Sequence, residues 1–452
     1  MTELERLLQL ADETAGEGID LLAALIRFET VNTGVMPTGN ELPLCQYLRG
    51  WLAREGIEAQ VLESGQNRGN LVARLPGSLG SPRLLYMGHT DVVPVEDPRE
   101  WRYPPFSATV ADGRMWGRGA ADMKAMVAAE LMAMVILRRA GVRLRGDLIV
   151  AAAADEETGG QYGFGWLTAH APEMIRADYA VNEGGGGPIP VPGGPAYSIA
   201  VGEKGRLELH IRLRGKSTHA ASPWMGDNVS YKLGEVLRRL ENWKPEIDVS
   251  SEFFTELAKL LQLSEPVTPE NVDTLADELA KTSRGLGSEA RGISRMTLTP
   301  TMFSGGVKSN SVPAVCELVC DVRTLPWQDE AYVRRQVDGL LEGIEGAEYE
   351  LIYTAVTNAS PYDTPLAAAI RAATEAASGK SGLKWLPSLT TGFTDSRLVR
   401  PSGAVVYGYG PGHPESDLAH PSGVHGVNES CELADLLFMT KVYAALALEL
   451  LG

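Results

Sequence analysis

The sequence has few cysteines, only four among 452 residues, at positions 45, 316, 320 and 431. Cys316 and Cys320 share one face of a predicted strand, where a rise of about 3.3 Å per residue separates them by roughly 13 Å. This separation is too large for a disulfide bond, so we expect reduced thiols in the core rather than a redox or zinc pair. Sparse, unpaired cysteines are typical of cytoplasmic proteins.

The sequence also lacks an excess of positive charge and long apolar segments. Its 41 Lys and Arg against 58 Asp and Glu give a net charge of −17, which argues against binding to nucleic acids or anionic membranes. No segment approaches the roughly 20 apolar residues that span a bilayer. The charged residues 1–6 lack the apolar core of a secretory signal. We therefore expect a soluble, cytoplasmic protein with no membrane or nucleic-acid partner.

The length and the strand pattern indicate an α/β fold with more than one domain. A chain of 452 residues exceeds a single typical core, so two domains are expected. Apolar strands at 84–87, 148–154 and 179–182 alternate with helical segments, and each strand is followed by histidine or acidic residues. This order predicts a mostly parallel sheet flanked by helices, with a site at its carboxyl edge.

The pattern changes after residue 204. Strands with alternating polar and apolar residues are predicted at 207–213, 297–303 and 314–323. Alternation of this kind is typical of antiparallel sheets with one buried face. We therefore predict an inserted α+β domain at 205–325, between two parts of the first domain at 1–204 and 326–452. Within the insert, the polar segment at about 250–292 is expected to be a helical elaboration.

Histidine and acidic residues collect at the ends of the predicted strands. They are His89, Asp91, Asp122, Glu156, Glu157 and Glu183, to which the later His425 can be added. Mixed imidazole and carboxylate ligands suit zinc and similar cations. Because consecutive residues of an extended chain point to opposite sides, one of Glu156 and Glu157 can bind a metal while the other acts as a base. The set predicts a two-metal site that activates water.

The motifs around these residues carry a family resemblance. In order, they are Gly88-His-Thr-Asp91, Pro104-Pro-Phe, Gly117-Arg-Gly-Ala-Ala-Asp-Met-Lys124, Asp155-Glu-Glu157, Asn182-Glu183, Gly215-Lys-Ser-Thr-His-Ala220, Asn310-Ser-Val-Pro313, Asp321-Val-Arg323, Thr394-Asp-Ser396 and His425-Gly-Val-Asn-Glu429. Each block alone is weak, but their common order is specific. The sequence resembles the co-catalytic di-zinc amidohydrolase and metallopeptidase family that includes succinyl-diaminopimelate desuccinylase, acetylornithine deacetylase, aminoacylase and glutamate carboxypeptidase. The resemblance spans residues 18 to 450, except for the elaboration.

The resemblance implies a role for each residue of the set. Asp122 would bridge two zinc ions, for which cobalt or manganese could substitute, and the peptide bond after it is typically cis in the family. One zinc would bind His89 and Glu183, and the other Glu157 and His425. Asp91 would orient His89. Glu156 would be the general base and then the acid that protonates the leaving amine.

The resemblance also implies residues around the substrate. The inserted domain would act as a lid and dimerisation domain, and its His219 would reach the oxyanion, often from the partner subunit. The remaining positions expected to contact substrate are Asn310, Arg323, Gly392 and Arg397. Asn310 is the better candidate for binding a substrate carboxylate, because a purely structural role for Arg323 is equally compatible with the sequence.

Several alternatives stay open at this point. His420 competes with His425 as a ligand, although Asn428-Glu429 favours His425, and His170 and His210 are interpreted as surface or structural residues. We expect hydrolysis of an amide bond in a small substrate with a free carboxylate, as in the desuccinylase and acetylornithine deacetylase types. A carboxypeptidase or dipeptidase of the same family is the alternative, and a non-catalytic binding protein on this scaffold is the remote one.

Overall fold

The computed structural model describes residues 1–191, 194–418, 420 and 422–452. The helices are α1 (Glu3–Glu13), α2 (Ala15–Arg27), α3 (Leu42–Arg54), α4 (Lys124–Ala140), α5 (Phe164–His170), α6 (Pro172–Ile175), α7 (Val229–Asn242), α8 (Glu252–Leu260), α9 (Val272–Thr282), α10 (Arg284–Gly292), α11 (Glu330–Leu341), α12 (Pro365–Ser378), α13 (Ser396–Val399) and α14 (Leu433–Leu451). The strands are β1 (Glu58–Gly65), β2 (Arg68–Leu75), β3 (Arg83–His89), β4 (Thr109–Ala111), β5 (Arg114–Trp116), β6 (Asp147–Ala153), β7 (Tyr179–Asn182), β8 (Gly186–Val191), β9 (Gly194–Glu203), β10 (Gly205–Arg214), β11 (Thr297–Gly305), β12 (Val315–Thr324), β13 (Ala347–Ala355), β14 (Asn358–Ala359), β15 (Lys384–Thr390), β16 (Val405–Gly408) and β17 (Ser430–Glu432). Among the described residues, no helix is long and apolar enough to cross a membrane.

The chain forms two compact units. The first comprises residues 1–201, 360–388 and 394–452, and the second comprises residues 202–359 and 389–393. All four cysteines are buried and unpaired, as predicted.

The predicted boundary after residue 325 differs from these units. It assigned α11 and β13 to the second part of the first domain, whereas both lie in the second unit. The physical reason is strand pairing, because β13 runs antiparallel to β10 with Leu351 opposite Leu209. Val333 of α11 is buried in the same apolar core as these strands.

The first unit is built on a mixed sheet whose centre is parallel. Its strand order is β1-β2-β6-β3-β7-β16-β9, and the four strands from β6 to β16 run parallel to one another. β6 and β3 are buried almost throughout, as expected for strands covered by helices on both faces. The predicted mostly parallel α/β fold is confirmed, with antiparallel strands added at both sides.

Helix α4 forms the centre of the core on one face of this sheet. It is rich in Ala and Met, is buried on nearly all sides and ends at Gly141, which adopts the left-handed conformation. Strand β3 approaches it closely, because a Cβ atom on Gly88 would lie 2.6 Å from Val127 Cγ2. Glycine at this position therefore lets the strand end that carries His89 rest directly on α4.

Glu130 is a buried acid in the middle of α4. It is fully inaccessible to solvent, and neither carboxyl oxygen has a hydrogen-bond partner among the described residues. Burial raises the pKa of Glu130 well above its ordinary value of 4.5. The folded chain thus keeps a proton that the unfolded chain releases. The resulting stability is complete below about pH 4.5 and is lost as the pH rises towards the folded pKa, at about 1.4 kcal/mol per pH unit.

We expect Glu130→Gln to stabilise the protein at neutral and alkaline pH. Glutamine keeps the shape of the protonated acid but cannot ionise, so its advantage over the wild type should grow with pH. Midpoints of urea unfolding at about pH 5 and about pH 8 measure this difference. The exposed Glu3 provides the control variant Glu3→Gln, which should show no such trend. A difference between Glu130→Gln and wild type that does not change with pH would contradict the expectation.

The second unit contains an antiparallel sheet with the order β11-β12-β10-β13. Strand β10 alternates strictly, and its buried residues pack with Val236 of α7 and Val333 of α11. The predicted elaboration contains three helices, α8, α9 and α10. Strand β11 lies at the edge of the sheet, and its outer half exposes Met302 and Phe303.

Candidate metal centre

The parallel strands of the first unit bring the predicted ligands to one edge of the sheet. His89 is the last residue of β3, Glu183 follows β7, and Glu157 lies in a short 3-10 turn after β6. Because β6, β3 and β7 are neighbours, their carboxyl ends meet. Asp122 lies two residues before the start of α4, and His425 lies in the loop before β17.

Three of these side chains form a first group. His89 Nε2 lies 3.0 Å from Asp122 Oδ1 and 3.9 Å from Glu183 Oε1. The three potential ligand atoms all lie within 4.8 Å of one another. A single cation can therefore be reached by all three side chains.

A second group shares Asp122 with the first. His425 Nε2 lies 3.0 Å from Asp122 Oδ2 and 3.3 Å from Glu157 Oε2. Asp122 thus directs one carboxylate oxygen to each histidine. The peptide bond between Asp122 and Met123 is cis, as the family resemblance implied.

The charges of the two groups fit bound cations. Burial, followed by the neighbouring charge of Asp122, raises the pKa of Glu183 to about 8. Burial also opposes ionisation of Asp122, but hydrogen bonds with His425 and His89 outweigh it and lower the pKa of Asp122. Glu157 Oε1 is buried without a hydrogen-bond partner among the described residues. Imidazoles combined with crowded carboxylates are a donor set that suits zinc and related divalent ions.

The neighbouring carboxylates raise the pKa values of both histidines. Hydrogen bonds to Asp122 and then to Glu157 raise the pKa of His425 to about 10. Burial would lower the pKa of His89, but its contacts with Asp122 and Asp91 raise it well above the ordinary value. A metal ion would replace the protons that the raised pKa values favour, because a histidine ligand must be neutral.

Asp91 contacts both His89 and the turn that carries Glu156 and Glu157. His89 Nδ1 lies 3.0 Å from the Asp91 carbonyl oxygen and 3.5 Å from Asp91 Oδ1. A proton held on Nδ1 by these oxygens leaves the Nε2 lone pair free for a metal. The Asp91 carboxylate also accepts hydrogen bonds from the backbone amides of Glu156 and Glu157, at 3.2 and 3.3 Å. This second function was not predicted from the sequence.

Glu156 precedes the candidate ligand Glu157 in the same 3-10 turn. Burial, followed by the charge of Glu183, raises its pKa well above the ordinary value for glutamate. A carboxyl group with a raised pKa beside metal ligands is suited to accepting and returning a proton near neutral pH.

Glu429 holds the loop that carries Asp122, a role that the sequence did not reveal. It is fully buried, and its carboxylate accepts hydrogen bonds from the amides of Gly119, Ala121 and Asp122 at 2.8 to 3.0 Å. Arg118 Nη1 donates to the same carboxylate at 2.6 Å. The sequence contained only one hint, the position of Glu429 four residues after His425.

The remaining predicted residues are divided between the units. His219 and Asn310 are exposed in the second unit, and Gly392 lies in the segment 389–393 of that unit. Arg323, also in the second unit, donates to Asp321 Oδ1 at 2.7 Å. The ion pair is consistent with a structural role for Arg323.

Two further residues of the first unit bear on the predictions. Arg397 Nη2 donates to the Gly159 carbonyl oxygen at 2.7 Å. His420 forms an ion pair with Asp417 and belongs to neither candidate metal group, whereas His425 belongs to one.

Two ligand groups that share a carboxylate, at the carboxyl edge of an α/β sheet, are typical of dinuclear metallohydrolases. Residues 85–449 match the model of peptidase family M20/M25/M40, and the chain belongs to this family. The family predicted from the motifs is thus confirmed. The chain is a hydrolase that acts on amide or peptide bonds.

The chain is similar both to a protein named as a desuccinylase and to solved structures named as peptidases. A probable succinyl-diaminopimelate desuccinylase from Staphylococcus epidermidis is 28% identical over 334 residues, which cover 73% of each chain. The solved M20 family metallo-carboxypeptidase from Sulfolobus solfataricus has a TM-score of 0.68 at 20% identity, with 96% of this chain and 99% of that chain covered. The solved di-peptidase Dug1p from Saccharomyces cerevisiae has a TM-score of 0.70 at 16% identity, with 99% of both chains covered. At these identities the solved structures establish the shared fold.

Proposed function

We propose that the chain is a zinc-dependent deacylase that cleaves the amide bond of a small N-acyl amino acid with a free carboxylate. The desuccinylase and acetylornithine deacetylase types named by the motif resemblance serve as its chemical models. The observation that carries the proposal is the shared use of Asp122. Its two oxygens face His89 in one ligand group and His425 in the other, each at 3.0 Å.

Five residues would hold two zinc ions in this proposal. Asp122 would bridge them, with His89 and Glu183 on one side and Glu157 and His425 on the other. When bound, the pair would supply Lewis acidity to the substrate carbonyl and acidify a water molecule. Cobalt or manganese could replace zinc, because both accept imidazole and carboxylate ligands.

The side chains themselves would move the protons. Glu156 takes a proton from the attacking water and delivers it to the leaving amine, and its raised pKa supports both steps. Asp91 keeps the His89 imidazole in the required tautomer. We also propose, from the family resemblance, that His219 donates a hydrogen bond to the oxyanion of the tetrahedral intermediate.

Substrate recognition is proposed for four residues that the motifs identify, Asn310, Arg323, Gly392 and Arg397. Asn310 is the preferred partner of the substrate carboxylate, because Arg323 is already paired with Asp321. Arg397 is likewise engaged through one nitrogen with the Gly159 carbonyl oxygen.

A carboxypeptidase or dipeptidase is the second candidate function. Its support is the names of two solved structures that share the fold, a metallo-carboxypeptidase and a di-peptidase. The deacylase is preferred because the curated relative is the more similar in sequence, at 28% identity.

A substrate panel with defined metal content tests the proposal. The purified chain is stripped with a chelator, reloaded with zinc, cobalt or manganese, and assayed with N-succinyl and N-acetyl amino acids and with dipeptides. We expect activity only after reloading, and highest on the N-acyl amino acids. Preferential cleavage of dipeptides would establish the second candidate. Binding of less than one zinc per chain, with no rate change on adding metal, would refute the two-metal proposal.

We further propose a homodimer formed through the inserted domain. Strand β11 is an edge strand, and Met302 and Phe303 on it are 67% and 73% exposed. Edge strands with exposed apolar side chains are suited to pairing with another chain. Light scattering on the eluted protein should give twice the monomer mass of 48.6 kDa, and a monomer at all concentrations would refute the dimer.

A further inference from the structure

We propose that Asn32 is a positioning residue that connects the two halves of the metal centre. This inference rests on the proposed function, since it concerns the residues assigned there as ligands and base. Asn32 lies in the segment between α2 and α3 and is 2% exposed. The side-chain hydrogen bonds of Asn32 go to Asp91, Asp155, Thr158 and Gly34, none of which is a proposed ligand.

The Asn32 side chain bridges two buried carboxylates. Its Nδ2 atom donates to Asp91 Oδ2 at 2.8 Å and lies 3.1 Å from Asp155 Oδ1 and 3.0 Å from Thr158 Oγ1. Its Oδ1 atom accepts from the Gly34 amide at 3.1 Å. These contacts define the orientation of the side-chain amide, with its NH₂ group toward both acids and its oxygen toward the Gly34 amide.

Both acids adjoin the Glu156–Glu157 turn, and Asp91 also contacts the end of β3. The Asp91 carboxylate accepts from the amides of Glu156 and Glu157 and lies 3.5 Å from His89 Nδ1, and the Asp91 carbonyl oxygen lies 3.0 Å from the same nitrogen. Asp155 immediately precedes the same turn and adopts a left-handed conformation with a φ of 73°. Asn32 thus connects the strand end that carries one ligand to the turn that carries another ligand and the base.

Asp155 is also held by Arg68, which binds the same oxygen as Asn32, and by the Tyr162 amide, which binds the other oxygen. The Asp155 carboxylate accepts from Arg68 Nη2 at 2.9 Å and from the Tyr162 amide at 3.0 Å. Arg68 Nη2 also lies 2.9 Å from Glu41 Oε1, and both Arg68 and Glu41 are buried. Asn32 therefore connects Asp91 to an anchored, charged network rather than to a mobile loop.

The chemistry of an amide is essential to this role. Asp91 and Asp155 are both acids in a solvent-free region, and a neutral NH₂ donor can satisfy both of them at once. An aspartate in its place would have the same shape but would add a third carboxylate and remove the donor. The carboxylate of Asp91 would then lose this partner and could rotate. The Glu156–Glu157 turn would shift relative to His89. A displacement of about 1 Å in such a site can lower a rate about 100-fold.

The test compares Asn32→Asp and Asn32→Ala with Thr33→Asp in the full chain. Thr33 is the next residue and is exposed, so Thr33→Asp adds the same charge nearby without touching Asp91. For both Asn32 variants we expect kcat to fall about 100-fold with little change in KM. We also expect zinc affinity, measured by competition with a chromophoric chelator, to fall about 10- to 100-fold. Thr33→Asp should match the wild type in both measurements.

The zinc measurement separates this inference from the proposed function. If the wild type binds two zinc ions but cleaves no substrate of the panel, zinc affinity alone still tests Asn32. Should Asn32→Asp fail to fold, Asn32→Ala and Thr158→Val carry the test, because the latter removes one contact of the Asn32 amide at an exposed residue. Wild-type zinc affinity and kcat in folded Asn32 variants would overturn the inference. Equal losses in Thr33→Asp would overturn it as well.

Discussion

Glu156→Gln is expected to lower kcat by about 10³-fold while two zinc ions per chain remain bound. Glutamine keeps the size and the polarity of the side chain but cannot take a proton from water. Glu156 belongs to neither ligand group, so its exchange should leave the groups around Asp122 intact. Because Glu156 is adjacent to Glu157, the variant tests whether Glu156 acts as the base while Glu157 binds the metal.

Steady-state rates and the metal content of the same preparation measure the two parts of this expectation. Glu156→Ala should behave like Glu156→Gln, because both lack the carboxyl group. Glu173→Gln, at an exposed position on α6, is the matched control and should retain wild-type activity. A Glu156→Gln protein that turns over substrate at the wild-type rate would exclude Glu156 as the base.

Asp122→Asn is expected to reduce the zinc content from two ions to at most one and to lower kcat by about 10³-fold or more. The carboxylate belongs to both ligand groups, and an asparagine offers only one oxygen. The remaining NH₂ group would point a donor at one of the two cations. The loss should therefore exceed that from removing a ligand of a single group, such as Glu183.

Elemental analysis after dialysis, together with the substrate assay, measures this effect. Asp20→Asn on the exposed face of α2 is the control for a simple change of charge and should bind two ions. Two tightly bound zinc ions in Asp122→Asn would show that Asp122 does not bridge them.

The grouping of the candidate ligand side chains could be predicted because the sheet order follows from local patterns. His89, Glu157 and Glu183 all follow apolar strands, and parallel strands bring their ends to one edge. Asp122 and His425 do not follow such strands, and their prediction depended on the motif resemblance. The metal groups found in the structure contain these five residues.

The supporting residues could not be predicted, because their roles depend on contacts distant in sequence. Glu429 binds amides more than 300 positions earlier, and Asn32 binds Asp155 across 123 positions. Neither residue type indicates such a partner. Similarly, the alternation of β13 suits any half-buried strand, and only its pairing with β10 assigns it to the second unit.

The close approach at Gly88 has a mechanical consequence for the site. Gly88 has no side chain, so the end of β3 packs directly against Val127 of α4. We therefore expect a displacement of β3 to shift α4 with it, so that the distance between His89 and Asp122 should vary little. An alanine at position 88 would alter that spacing directly, and tolerance to mutation should be lower there than at any exposed glycine of the chain.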